Sequence, residues 1–335
     1  MRRKKPFITL GIETSCDETA CAVLEGDSVL RSSVVASSLN LHKRFGGVVP
    51  EIASRHCLEY IRPVYDQSLK KAHITTDDID LIGVTYGPGL VGSLLVGLTF
   101  AKALSYSLKI PFVGVNHLKG HLYANFIRNK LDSKPYLGLV VSGGHTSIVY
   151  CKQGKFSLIG ETRDDAVGEA FDKVAKMLSL GYPGGPVIEE KARKGDPLRI
   201  KFTCAKLPGT LDFSFSGIKT AVLYYTKKVT NLKQEVSDIC AGFQYSVVQR
   251  IVEKTIAAAE KKNVNYIVVG GGVSANQYLK GKLTETATKK GIQVFFPTIQ
   301  EAIDNGAMIA RCAYDLYNCG QRSKYDLRAN PSLAF

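Results

Sequence analysis

Residues 8–25 read ITLGIETSCDETACAVLE, and residues 137–152 read LGLVVSGGHTSIVYCK. Each is a strand-like apolar run, a polar or glycine-rich turn, and a second strand. Around the first copy, residues 7–12, 20–25 and 29–35 read as strands. Pro50 sits at a first helical position, and 51–72 carries helical periodicity with Pro63 as a kink. Residues 81–86 read as a strand, Gly87-Pro88-Gly89 as a turn, 91–108 as a helix and 111–115 as a short strand. The pattern then restarts, with strands at 136–142, 146–152 and 156–159. Helices follow near 165–180, 186–195, 216–230 and 235–262, then a strand at 266–269, a helix at 275–290, a strand at 292–296 and a helix near 303–318. An α/β fold built on an internal repeat is the sharp reading; two common hairpins that look alike by chance are the bland one. We expect two lobes, 1–115 and 116–335, with a cleft between them and the last helix and tail packing back on the first.

The composition agrees with this. The chain has 335 residues, 45% hydrophobic and 22% charged, enough for two lobes with full cores. The longest apolar run, 94–108, is interrupted by Gly97 and Lys102 and falls short of the ~18 residues that span a bilayer. The basic start, Met1 to Lys5, is followed by a strand rather than by a signal or transit sequence, so a cytoplasmic protein without membrane contact is expected. Eight cysteines without a C-x-x-C pair read as reduced thiols, most of them core fillers. The net charge of +14 steers polyanions to the surface, and basic residues concentrate at 191–206, 219–233, 254–262 and 280–290. Each cluster alone could be a solvated face; together they point to nucleic acid.

Three turns follow strands: Glu13 to Asp17, Ser142 to Thr146 and Gly270 to Asn276. Such turns let backbone N–H groups approach phosphate oxygens, although tight turns need glycine without any ligand. None is a Walker or G-x-G-x-x-G motif, which disfavours P-loop and Rossmann folds. Next, His117 and His121 stand four apart behind Asn116, a helix N-cap, and would project from one face to share a metal. The zincin general base is missing, because Leu118 follows the first histidine, so a metallopeptidase is disfavoured. Asp304 is the candidate third ligand; its bland role is the N-cap of the last helix. Asp172 lies among Glu169, Lys173 and Lys176 and could either contact a substrate or belong to a solvated helix face.

GIETSCDET (11–19), FGGVVPE (45–51), YGPGL (86–90), NHLKGH (116–121), VSGGHT (141–146), GEAFDK (168–173), YPGGP (182–186), GVSAN (272–276) and DNGA (304–307) resemble, in this order and over nearly the whole chain, the bacterial TsaD family. Its archaeal and eukaryotic relatives belong to the KEOPS complex. The resemblance implies the ASKHA fold of actin and the sugar kinases, two ribonuclease-H-like lobes about a nucleotide cleft. It also implies transfer of threonylcarbamoyl from threonylcarbamoyl-AMP to N6 of the adenosine 3′ of the anticodon, in tRNAs reading ANN codons. Carried over by motif, His117, His121 and Asp304 would hold one divalent metal, iron(II) foremost and zinc as the alternative. Val140, Val141, Ser142, Gly143, Gly144, Asp172, Gly185 and Asn276 would line the pocket for the adenylate, an ATP/AMP-type nucleotide. Glu189 stands where many bacterial members have aspartate, and its extra methylene puts that ribose contact in doubt. Glu13 and Asp17 are guesses for a general base.

The implied partners are tRNA, a TsaB-type paralogue, a TsaE-type ATPase and a separate synthase that supplies the adenylate. The paralogue's surface would be a helical face around 51–72 and 91–108. An ASKHA small-molecule kinase would share the glycine turns without needing the paired histidines. A non-catalytic scaffold would need neither the histidines nor Asp304.

Overall fold

The computed structural model describes residues 6–131 and 134–335. The basic start, residues 1–5, lies outside the described residues. The chain divides into two compact units, Met1–Leu131 with Ile303–Phe335, and Asp132–Ala302.

The first unit begins with β1 (Ile8–Glu13), β2 (Glu18–Glu25) and β3 (Val29–Ser37), two successive antiparallel pairings. A one-turn α1 (Leu39–His42) leads to α2 (Pro50–Ala72), which starts at its proline and runs through Pro63. Then come β4 (Leu81–Gly87), α3 (Val91–Leu108), β5 (Phe112–Asn116) and α4 (His117–Tyr123). The sheet order is β3-β2-β1-β4-β5, with β4 parallel to both β1 and β5.

The second unit repeats the plan. β6 (Tyr136–Val141), β7 (Thr146–Lys152) and β8 (Lys155–Glu161) form the antiparallel part. They are followed by α5 (Val167–Met177), α6 (Gly184–Ala192), α7 (Ser216–Thr226), α8 (Leu232–Lys262), β9 (Tyr266–Gly270), α9 (Gln277–Thr288), β10 (Gln293–Phe295) and α10 (Ile299–Ala302). The order is β10-β9-β6-β7-β8, again three antiparallel strands continued by two parallel ones. The repeat read from the two hairpins is therefore a repeat of whole sheets.

α11 (Gly306–Asn318) returns to the first unit and packs on β1, β2, β4 and α4. The approach is close because the strands offer glycines. A Cβ on Gly11 would lie 2.0 Å from the Gly306 carbonyl, and one on Gly83 would lie 2.5 Å from the Ala313 methyl. Beyond α11, the segment 323–334 lies against the same unit: Ser323 Oγ accepts the Gly114 N–H, and Asn330 N–H donates to the Tyr86 carbonyl.

α3 spans 18 residues at a mean hydropathy of 1.4, so by length and composition it could cross a membrane, which run length alone had not suggested. In the fold it packs on α2 and β4, with Leu94, Leu98 and Ala101 in the core. Cysteines 21, 57, 151, 204, 240 and 312 are buried, and none of them is in a disulfide among the described residues. Burial pushes Cys204 up to about 11 and Cys240 up to about 12, so both are thiols that fill space.

Candidate metal centre and glycine loops

Asn116 ends β5 and caps α4: its Oδ1 accepts the N–H groups of Leu118 (2.9 Å) and Lys119 (3.3 Å). One turn apart on that helix, the His117 and His121 rings meet edge to face with centroids 4.5 Å apart. Asp304, just before α11, completes the group. Its Oδ1 is 3.6 Å from His117 Nε2 and 3.2 Å from His121 Nε2. The three ligand atoms all lie within 4.8 Å of one another. The capping role that competed for Asp304 falls to Asn305, whose side chain accepts the Met308 N–H at 3.0 Å.

These residues fit a metal. Two ligands, each about 2.1 Å from a tetrahedral ion, would stand about 3.4 Å apart, close to the spacings seen. Nδ1 of His121 is buried without a hydrogen-bond partner, and Nε2 meets the Asp304 carboxylate without a well-formed hydrogen bond, an arrangement that a cation between the two would satisfy.

Glu13 has no exposed surface, and its oxygens are taken. Oε1 accepts the Ser15 N–H, while Oε2 accepts Thr85 Oγ1 and lies 3.1 Å from His117 Nδ1. Glu13, a guess for a general base, has both oxygens engaged inside the first unit, where it can fix the ring of His117 with Nε2 toward Asp304. Desolvation lowers the pKa of His117, and the charges of Asp304 and Glu13 outweigh it, pushing the imidazole up to about 9. Asp17, in the same loop, is partly exposed. Glu18 went unnoticed in the sequence; burial first, then the negative charges of Asp304 and Asp17, push it up to about 10. Thr85 was also missed, because a threonine inside a strand carries no signal of its own.

In the second unit, two of the three expected turns come together. The Ser142 N–H donates to the His145 carbonyl (2.8 Å), and the Gly168 N–H at the start of α5 donates to the Ser142 carbonyl (3.1 Å). Gly271, at φ 94°, has its α-carbon so near Val141 that a Cβ would lie 2.4 Å from the Val141 carbonyl. Gly143 and Gly144 are exposed, with open space above them, as a backbone cradle requires. The remaining turn, Glu13 to Asp17, belongs to the first unit.

Not every expected pocket residue presents its side chain. Val140 and Val141 are fully buried strand residues, so only their backbone is available to a ligand. Asp172 accepts the Gly184 N–H at 2.6 Å, tying α5 to the start of α6. Gly185 faces open space. Asn276 caps α9 through the Leu279 N–H (2.8 Å) and donates to Gln244 (2.9 Å). Glu189 accepts the Gln277 N–H at 2.9 Å and pairs with Arg193 at 3.2 Å. Beside these two lies a cavity of about 320 Å³ lined by Glu189, Arg193, Ala241, Gln244, Gln277 and Tyr278. Gln244 and Tyr278 gave no sequence signal, since both sit within ordinary helical periodicity.

A family profile described as TsaD, tRNA N6-adenosine threonylcarbamoyltransferase, matches residues 29–311. The tRNA N6-adenosine threonylcarbamoyltransferase of Clostridium kluyveri is 49% identical over 334 residues, covering 98% of each chain. The chain belongs to the TsaD family. Among solved structures, full-length HypF in its phosphate- and nucleotide-bound form aligns over 96% of this chain and 57% of its own, with a TM-score of 0.63 at 14% identity. Component A of the Acidaminococcus fermentans (R)-2-hydroxyglutaryl-CoA dehydratase aligns over 92% of this chain and 98% of its own, with a TM-score of 0.56 at 17% identity. At those identities the likeness concerns the fold, and the TsaD chain has the ASKHA architecture.

Proposed function

We propose that this chain transfers threonylcarbamoyl from threonylcarbamoyl-AMP to N6 of the adenosine 3′ of the anticodon, in tRNAs that read ANN codons. The observation that carries the reading to this molecule is the meeting of His117, His121 and Asp304, with Glu13 behind His117. A small-molecule kinase would need the glycine loops but not this group.

The donor is a mixed carbamic–phosphoric anhydride, already activated, so no covalent enzyme intermediate is needed. The adenosine amine attacks the carbamoyl carbon, the carbon–oxygen bond to phosphate breaks, AMP leaves, and N6 gives up a proton. A divalent metal held by His117, His121 and Asp304, iron(II) or alternatively zinc, would supply Lewis-acid stabilisation of the developing charge. Glu13 holds His117 by Nδ1, which leaves Nε2 for the metal. The backbone of Val140 to Gly144 and of Gly185 would receive the adenylate, with Asp172, Glu189 and Asn276 shaping that pocket. Because the amine lone pair is delocalised into the purine, positioning supplies much of the rate. Asp17, the partly exposed carboxylate of the 13–17 turn, is the candidate to accept the proton.

The enzyme would work in the cytoplasm with a TsaB-type paralogue and a TsaE-type ATPase, and receive its adenylate from a separate synthase. The paralogue would dock on a helical face of α2 and α3, where Leu58, Tyr60, Val91 and Leu95 are exposed. The test is transfer of labelled threonylcarbamoyl to unmodified tRNA by the reconstituted set, comparing wild type with His117→Ala/His121→Ala. Loss of transfer in a folded double mutant is expected. Undiminished transfer would remove the metal group from the chemistry, and an inactive wild type with active partners would overturn the assignment.

A further inference from the structure

Between α6 and α7, residues 195–210 form no regular element, yet they are fixed along one side of α8. A Cβ on Gly195 would lie 2.1 Å from the Ser237 carbonyl, the Asp196 N–H donates to Asp238 at 2.7 Å, and Arg199 pairs with Asp238 at 2.6 Å. Further on, a Cβ on Gly242 would lie 2.2 Å from the Ile200 carbonyl. Then three side chains at i, i+4 and i+8 of the helix take carbonyls in turn. Ser246 donates to Phe202 (2.7 Å), Arg250 to Cys204 (3.1 Å), and Lys254 to Leu207 (3.0 Å) and Thr210. The segment therefore runs beside α8 from Asp238 to Lys254, about 24 Å at roughly 1.5 Å per residue.

The pinning sorts its side chains. Ile200, Phe202 and Cys204 are buried, while Lys201 and Thr203 between them and Lys206 beyond them are exposed. From 191 to 206 there are six basic residues and one acid, against 44 and 30 for the whole chain. That acid, Asp196, is exposed, with its carboxylate accepting the Leu198 N–H at 2.8 Å. Lys194, Lys201 and Lys206 have no ion pair among the described residues. An ordinary solvated face mixes the two signs and leaves long side chains on mobile surface. This one sets six basic residues against one acid on a rigid rail.

We propose that the 194–206 ridge is a docking surface for the phosphate backbone of tRNA. The inference rests on the transferase reading and adds where on the second unit the RNA lies. At roughly 3.4 Å of rise per nucleotide, about 24 Å accommodates several phosphates of one strand. The cations contact backbone rather than bases, so the ridge contributes affinity and register without selecting sequence. Because the rail is already ordered, little entropy is lost on docking.

The test measures binding of unmodified tRNA to the full chain with its partners, as a function of salt. Lys194→Glu/Lys201→Glu/Lys206→Glu is compared with Lys152→Glu/Lys155→Glu/Lys261→Glu, an equal charge change on exposed lysines elsewhere in the same unit. The ridge variant should bind at least 10-fold more weakly and lose about 2 from the slope of log K against log salt, with unchanged thermal unfolding. The control should move less than 2-fold. Equal weakening in both variants would assign the effect to net charge and overturn the ridge, as would a ridge variant that binds like wild type. Wild type that binds no tRNA at low salt would instead overturn the transferase reading beneath it.

Discussion

Glu13 Oε2 lies 3.1 Å from His117 Nδ1, inside a pocket that leaves the carboxylate no exposed surface. A carboxylate so placed fixes the imidazole tautomer and makes the other nitrogen a better ligand. Glu13→Gln keeps the shape and removes the charge. Affinity for a divalent metal should fall about 10- to 100-fold, read by competition with a chromophoric chelator. Unchanged affinity would reduce Glu13 to a support for the 13–17 turn.

Asn116 joins the metal helix to the 323–335 segment: its Oδ1 caps α4, and its Nδ2 donates to the Ala334 carbonyl at 2.8 Å. Asn116→Ala removes the cap and leaves that carbonyl without its donor. A loss of about 1–2 kcal/mol is expected in urea unfolding. Asn116→Asp, which still caps but cannot donate to Ala334, should recover part of it. If the two variants unfold alike, the cap contributes nothing and the loss belongs to the bond to Ala334.

Asp165 sits between Lys173 (2.6 Å) and Lys219 (2.7 Å). Burial alone would raise its pKa, but the bonds to the two lysines outweigh burial and hold the carboxyl below its usual 3.8. A carboxyl depressed in the folded state stabilises the protein above its unfolded pKa, and that contribution is lost as pH falls through the folded value. The stability difference between wild type and Asp165→Asn should thus be full at pH 7 and shrink below about pH 4. Denaturant midpoints across that range check it; a gap that stays constant would contradict the pairing.

Gly83→Ala places a methyl where only 2.5 Å separates it from the Ala313 Cβ. Both backbones are held by their sheet and helix, so α11 must shift, at a cost of about 1–3 kcal/mol. Because Asp304 precedes that helix, metal affinity should fall together with the thermal midpoint. A stable variant with intact affinity would mean that α11 can move without carrying Asp304.

How far the sequence is legible follows from the range of the forces involved. The strand–turn–strand copies at 8–25 and 137–152 were readable because period and turn chemistry are local. The histidine pair was readable too, since helical spacing alone puts His117 and His121 on one face. Less local questions were not. Whether Asp304 caps a helix or joins the histidines depends on α11 settling on glycines of β1 and β4, hundreds of residues upstream in the chain. Val141 opens a matching motif and Val140 precedes it, yet the core around β6 takes their side chains.

The sequence by itself determined the repeat, the family and the types of residue available for chemistry, because periodicity, capping and motif order are properties of neighbouring residues. Tertiary structure alone decided that 116–131 fold with the first sheet, that Glu13 is sealed behind His117, and that the 195–210 segment is pinned along α8. Those outcomes depend on close packing between segments far apart in the chain, and nothing within a local window specifies which surfaces will meet.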